Sequence, residues 1–195
     1  NHKLCFFSGY DCDSLALEKI TNFLKVFLKS FEKINNAYLE VRTKSTNIGV
    51  FKSIKPLKNV IIAYSLNPEI IVKEFEQKTP TLKKRIDSIN SLQKLGWQVG
   101  LRFDPLINYS KNKLIYKKFF HFIFNKIQVE KIHSVTTGRF RMPNSFFNKL
   151  VNIRPEDSLV FNKLKNEKLL EYQTQKKECE EELIKFIDYK KIFVN

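Results

Sequence analysis

Short apolar segments alternate with longer amphipathic ones along most of this 195-residue chain, and that alternation limits the fold more than any other feature. Residues 4–8, 37–43, 59–65, 97–103 and 132–140 read as strands, and the β-branched run of 59–65 reads as a buried one. Between them lie helical patterns. Asp13 or Ser14 caps a helix whose stripe runs through Leu17, Ile20, Leu24, Phe27, Leu28 and Phe31 at spacings of three and four. A small helix is expected within 49–55. Asn67 followed by Pro68 and Glu69 is a helix start, with Asn67 as the cap. Thr79-Pro80 repeats that signal ahead of Leu82, Ile86, Ile89 and Leu92, and Gly96 suits a left-handed C-terminal residue. Asp104-Pro105 is expected to end the fourth strand. A helix is predicted over 113–127 and a short one over 146–151.

Strand–helix alternation predicts a parallel sheet with right-handed crossovers, an α/β architecture. Five or six such units are too few for a closed eight-fold barrel of about 250 residues. The sheet is therefore open, or part of a barrel lies outside this chain. Past residue 155 the pattern changes. Residues 158–164 and 169–174 flank the polar turn 165–168 and read as a β-hairpin. A final helix carries Cys179, Leu183, Phe186 and Ile187 on one stripe, and 191–194 reads as a last strand. No linker interrupts the chain, so 1–195 reads as a single domain.

Composition narrows the function. The 35 Lys+Arg exceed the 20 Asp+Glu to give a formal charge of +15, which suits an anionic partner, nucleic acid first. An AT-rich coding bias toward Lys, Asn, Ile and Phe accounts for the same excess equally well. Apolar runs are too short to span a bilayer, and no signal peptide opens the chain. Three widely spaced cysteines, Cys5, Cys12 and Cys179, form no disulfide framework and point to a reducing cytoplasm. His2, His121 and His133 make no ligand pair, so no metal site is expected.

In folds of this kind ligands gather at the carboxyl ends of the strands. The polar groups there are residues 9–14, Thr43-Lys44-Ser45, Ser65 and Asn67, Asp104, and 136–141. Each has a bland reading: Asp13 and Asn67 as caps, Ser65 as a small packing residue, Lys44 as one solvated lysine among many, Asp104 as a turn former. Together they bring a lysine, hydroxyls and a carboxylate to one rim.

The segments Asp13-Ser-Leu-Ala-Leu-Glu-Lys-Ile-Thr21, Val41-Arg-Thr-Lys-Ser-Thr46, Tyr64-Ser-Leu-Asn-Pro68, Phe75-Glu-Gln-Lys-Thr-Pro80 with Lys84-Arg-Ile86, Gly96-Trp-Gln-Val-Gly-Leu-Arg-Phe-Asp-Pro105 and Gly138-Arg-Phe140 occur in this order. In order and spacing they resemble the spore photoproduct lyase family of radical S-adenosylmethionine proteins. The resemblance implies a partial (β/α) barrel of about six units, open or incomplete, with the C-terminal hairpin gripping a damaged duplex. It also implies a 4Fe–4S cluster and S-adenosylmethionine, whose reductive cleavage gives a 5′-deoxyadenosyl radical that repairs a thymine photoproduct in DNA. A monomer and a reducing partner such as flavodoxin or ferredoxin come with it. By position, Lys44 and Ser65 match residues that hold the methionine part of the cofactor, Cys12 matches a small residue of the same contact set, and Asp13 and Asn67 are supports. Arg139, Arg141, Lys163, Lys165 and Lys168 are the candidate phosphate contacts.

Three departures accompany the resemblance. The CxxxCxxC cluster motif is absent, and the chain opens on Asn1 rather than Met, so it reads as the later part of a longer enzyme with the cluster ligands upstream. Cys5, Cys12 and Cys179 do not replace that motif, so the isolated piece is expected to be inactive. Tyr10 stands where repair members carry a hydrogen-donating cysteine, which leaves Tyr10 and Cys12 as candidate donors. Asp104 replaces a small apolar residue and suits the cofactor's ribose or ammonium, or another substrate. The alternatives are a family member acting on another substrate and an inactive nucleic-acid-binding module.

Overall fold

The computed structural model describes residues 4–9, 12–107, 114–140, 142–155 and 169–194. Six strands, β1 (Leu4–Ser8), β2 (Ala37–Thr43), β3 (Val60–Ser65), β4 (Gln98–Leu106), β5 (Ile132–Arg139) and β6 (Ile192–Val194), lie in one sheet in sequence order. Every neighbouring pair is parallel. The sheet curls into a half-barrel; the alternation predicted the parallel sheet, and the resemblance implied the partial (β/α) barrel.

The helices α1 (Glu18–Thr21), α2 (Phe23–Phe31), α3 (Gly49–Lys52), α4 (Glu69–Phe75), α5 (Leu82–Leu95), α6 (Ile115–Phe124), α7 (Asn144–Ile153) and α8 (Leu169–Leu183) join or follow the strands. The core forms where helices cover the outer sheet face. Leu39, Val41, Val60, Ile62, Val99, Leu101 and Phe103 alternate along β2 to β4 and pack against Leu24, Leu28, Ile86, Ile89, Leu92 and Phe120. Phe103 meets Phe119 at 5.5 Å and Phe120 at 4.9 Å between ring centroids, geometry that adds to area burial.

The inner face is polar at its centre. Arg102 on β4 is 2% exposed. Its Nε donates to Glu40 Oε1 at 3.0 Å and its Nη2 to Glu40 Oε2 at 2.7 Å. Nη2 also donates to Ser134 Oγ on β5 at 3.1 Å. Arg42 Nε reaches the same Glu40 Oε1 at 2.8 Å. Gly100 makes room for this cluster, since a Cβ there would stand 2.8 Å from Arg102 Nη2. Burial opposes ionisation of Glu40, but the Arg102 and Arg42 guanidiniums outweigh it and hold the carboxyl below its ordinary range.

Five local expectations are corrected. The first helix is not continuous: Asn22 turns left-handed at φ 50° and separates α1 from α2. Glu18 causes the break, because its carboxylate accepts the N–H groups of Leu24 and Lys25 at 2.8 and 3.0 Å and caps α2 from a distance. Leu17 and Ile20 are consequently exposed. Pro68, not Asn67, holds the cap position of α4, since the Asn67 amide turns to Glu76 instead. Thr81, not Thr79, caps α5 by accepting from Lys84 N–H. The fourth strand runs through Asp104-Pro105, which is cis, to Leu106. The second arm predicted for the hairpin, 169–174, is the start of α8, and the remainder of 158–174 lies outside the described residues. Gly96 is left-handed at φ 90° as expected.

Removing Glu40 strands a buried guanidinium. Glu40→Leu is expected to cost about 3–5 kcal/mol, with Arg102→Met added to it recovering most of the loss, both read from urea melts. Glu40's folded pKa lies below its unfolded value of about 4.3. Its stabilisation is therefore complete above that value and fades as pH falls through the lower folded one. Acid titration of the double variant should show a shallower loss of stability below about pH 4.

Candidate functional site

The loops that leave the strand tops are built on one carboxylate. Asp13 Oδ1 accepts from Leu15 N–H and Ala16 N–H, both at 2.9 Å, and from Thr43 Oγ1 at 2.8 Å. Asp13 Oδ2 accepts from Lys44 N–H at 2.7 Å. Thr43 Oγ1 in turn accepts from Ser45 N–H at 2.8 Å, and Tyr64 donates to the Ser45 carbonyl at 3.0 Å. Burial pushes the Tyr64 phenol up, so it stays a neutral donor. Gly9 closes the arrangement at φ 82°, because a Cβ there would lie 2.6 Å from the Arg42 carbonyl oxygen. Asp13 is therefore both a local cap and the tie between the β1 and β2 loops.

These loops, the β3 and β4 ends and the segments before α5 and α7 line a cavity of about 1080 Å³. Cys12, Asp13, Lys44, Ser65 and Asp104 all line it. Asn67 is 2% exposed and is not among the lining residues; its Nδ2 donates to Glu76 Oε1 at 3.0 Å behind the wall. Arg42, Lys44 and Lys78 stand on the cavity wall with Asp104. Gly138 admits Asp104: a Cβ on Gly138 would sit 2.9–3.1 Å from the carboxylate atoms. Asp13 is occupied by four donors, so among the described lining residues Asp104 is the carboxylate suited to a ligand's hydroxyl or ammonium groups.

Some candidates fall elsewhere. Tyr10, Arg141, Lys163, Lys165 and Lys168 lie outside the described residues, and Arg139 ends β5. Cys5 is exposed on β1, with its thiol pushed up by partial burial and the Glu40 charge. Cys179 is buried in α8, its thiol pushed up to about 12 by burial. Among the described residues no three His, Cys, Asp or Glu side chains are placed to hold a metal ion, so this part of the chain does not fit an iron–sulfur cluster.

Arg42, Glu76 and Arg85 were not singled out by residue type or spacing. Their signals exist in the sequence. Glu40 and Arg42 put charges at alternate positions of an otherwise apolar strand, and Arg85 sits between Leu82 and Ile89 on the buried face of α5. A charge on an apolar face points to a partner inside the fold.

A family model described as spore photoproduct lyase matches residues 4–177. The spore photoproduct lyase of Clostridium acetobutylicum is 22% identical over 148 residues, which make up 75% of this chain and 44% of that protein. A solved spore photoproduct lyase complexed with dinucleoside spore photoproduct has a TM-score of 0.80 at 12% identity and covers 99% of this chain and 61% of its own. A mutant with bound AdoMet and dinucleoside spore photoproduct has a TM-score of 0.77 at 11% identity, with the same coverage. The chain thus spans less than half of the curated relative and about three-fifths of these solved chains. The structural likeness establishes the fold.

Asp13→Ala removes the acceptor of four donors. It is expected to cost about 1–3 kcal/mol and to speed hydrogen exchange at the Lys44 amide, measured by urea melts and amide exchange.

Proposed function

The chain belongs to the spore photoproduct lyase family, whose model matches residues 4–177, and from that premise we propose that the strand-top cavity binds S-adenosylmethionine in a radical enzyme repairing a thymine photoproduct in DNA. The observation that carries the reading is that Lys44 and Asp104 both line this cavity. An amino-acid ligand carries a carboxylate and an ammonium, and such a lining offers a partner of each sign. The cavity is also the size of sites that hold small cofactors.

Lys44 receives the methionine carboxylate through a charge-assisted contact, and the Ser65 hydroxyl bonds the same part. Cys12 lies beside them at the β1 loop. Asp13 supports Lys44 through its backbone N–H, and Asn67 supports the wall through Glu76. Asp104 takes the ribose hydroxyls or the ammonium. A 4Fe–4S cluster ligated by cysteines outside this chain, with a flavodoxin- or ferredoxin-like reductant, would supply the electron that cleaves the cofactor to a 5′-deoxyadenosyl radical. Cys12, which lines the cavity, or Tyr10 would be the hydrogen donor to the product.

DNA suits the formal charge of +15, because Lys and Arg hold phosphates while the lesion leaves the stack. Arg139, Arg141, Lys163, Lys165 and Lys168 are the proposed phosphate contacts. Among the described residues no helix is long and apolar enough to cross a membrane. A second reading, the same chemistry on another substrate, is favoured by Asp104, since a carboxylate in the cavity repels phosphate.

In the full-length protein, Lys44→Met is expected to weaken S-adenosylmethionine binding about tenfold or more, measured by equilibrium dialysis; unchanged affinity refutes the cofactor site. Reversal of thymine dimers in irradiated DNA supports repair, whereas cofactor cleavage without reversal supports the other substrate.

A further inference from the structure

Behind the cavity wall lies an ion pair that the proposed chemistry does not use. Arg85 on α5 is fully buried. Its Nη2 donates to Glu76 Oε2 at 2.6 Å and to Thr79 Oγ1 at 2.8 Å. Its Nε donates to the Pro80 carbonyl at 2.9 Å and its Nη1 to the Ser65 carbonyl at 3.0 Å. The other Glu76 oxygen accepts from Asn67 Nδ2 and lies 4.0 Å from Lys44 Nζ.

Stability alone is a weak reason for such a pair, because desolvating two ions offsets most of their attraction. The network also leaves Asn67 Oδ1 buried without a partner among the described residues, a cost that a purely structural cluster avoids. What the pair does accomplish is geometric. Ser65 at the end of β3, Lys44 after β2, and Thr79 and Pro80 before α5 come from three separate segments, and all four line the cavity. Glu76 and Arg85 cancel each other's charge, so the Lys44 charge remains available to a ligand. The Glu76 carboxylate also gives that half-exposed ammonium a resting place at the wall instead of in solvent.

We infer that Glu76 is a positioning residue for the cofactor carboxylate. It holds the Lys44 ammonium at the wall, and Arg85 fixes Glu76 and Ser65 so that the two contact residues keep their spacing. This inference rests on the reading that Lys44 and Ser65 bind S-adenosylmethionine.

The test uses the full-length protein as wild type, Lys44→Met, Glu76→Gln and the double variant. For each, affinities for S-adenosylmethionine and for its decarboxylated analogue are measured by equilibrium binding. The ratio of the two reports the carboxylate contact and is insensitive to general loosening of the cavity. The ratio should fall about tenfold in Lys44→Met, several-fold in Glu76→Gln, and no further in the double variant than in Lys44→Met. A ratio unchanged by Glu76→Gln but lowered by Lys44→Met overturns the positioning role and leaves the cofactor site standing. A ratio unchanged by Lys44→Met overturns both. Should Glu76→Gln fail to fold because Arg85 is left uncompensated, Glu76→Gln with Arg85→Met removes both buried charges, and the same fall in ratio is expected.

Discussion

The guanidinium of Arg102 is the constraint around which the half-barrel is organised. An apolar outer face would curl against helices whatever lay inside, but the inner face of an open sheet needs something to hold it. Arg102 joins β4 to Glu40 on β2 and Ser134 on β5, crossing β3, whose small Ala63 stands in register with Arg42 on β2 and Gly100 on β4. A planar group with five donors can bridge strands in this way, whereas a lysine cannot. The cost is a bare backbone at Gly100 and a carboxylate that must stay ionised.

The same logic recurs at the strand tops with different atoms. Asp13 ties the β1 and β2 loops through backbone donors, and Glu76 with Arg85 ties the β2 and β3 loops to the segment before α5. Several residues that face the cavity sit on loops after β1 and β2 and before α5, and a carboxylate or ion pair behind the wall pins these loops. Loops pinned this way vary less in position than loops held by packing alone, which is what a ligand site of fixed spacing requires. Cavity charge and fold stability are thus carried by different residues that touch each other.

The strands were legible because β-branched runs and apolar alternation are local signals, and their parallel pairing followed from the helices between them. So were Gly96 as a helix end and the rim formed by Lys44, Ser65 and Asp104. The break at Asn22 was not legible, since the stripe from Leu17 to Phe31 fits one helix and only the reach of Glu18 to Leu24 and Lys25 decides otherwise. Asn67 and Thr79 carry good capping chemistry but are drawn to Glu76 and Arg85, a tertiary demand that overrides a local one. The 169–174 segment alternates like a strand, yet it continues a helix whose later turns bury Cys179 and Leu183 on the fold. Resemblance to a family supplied the roles; periodicity supplied only the positions.

Gly138 carries a message beyond this chain. The carboxylate of Asp104 enters the cavity only because the facing position on β5 has no side chain. The two positions form a lock of opposite sizes, and any methyl group at 138 would push a carboxylate at 104 out of the space it occupies. In a relative that keeps a small residue at the first position, the second is free to vary. Pairs of residues read from related sequences at these two sites would therefore sort relatives by the polarity of their cavities, without a structure for any of them.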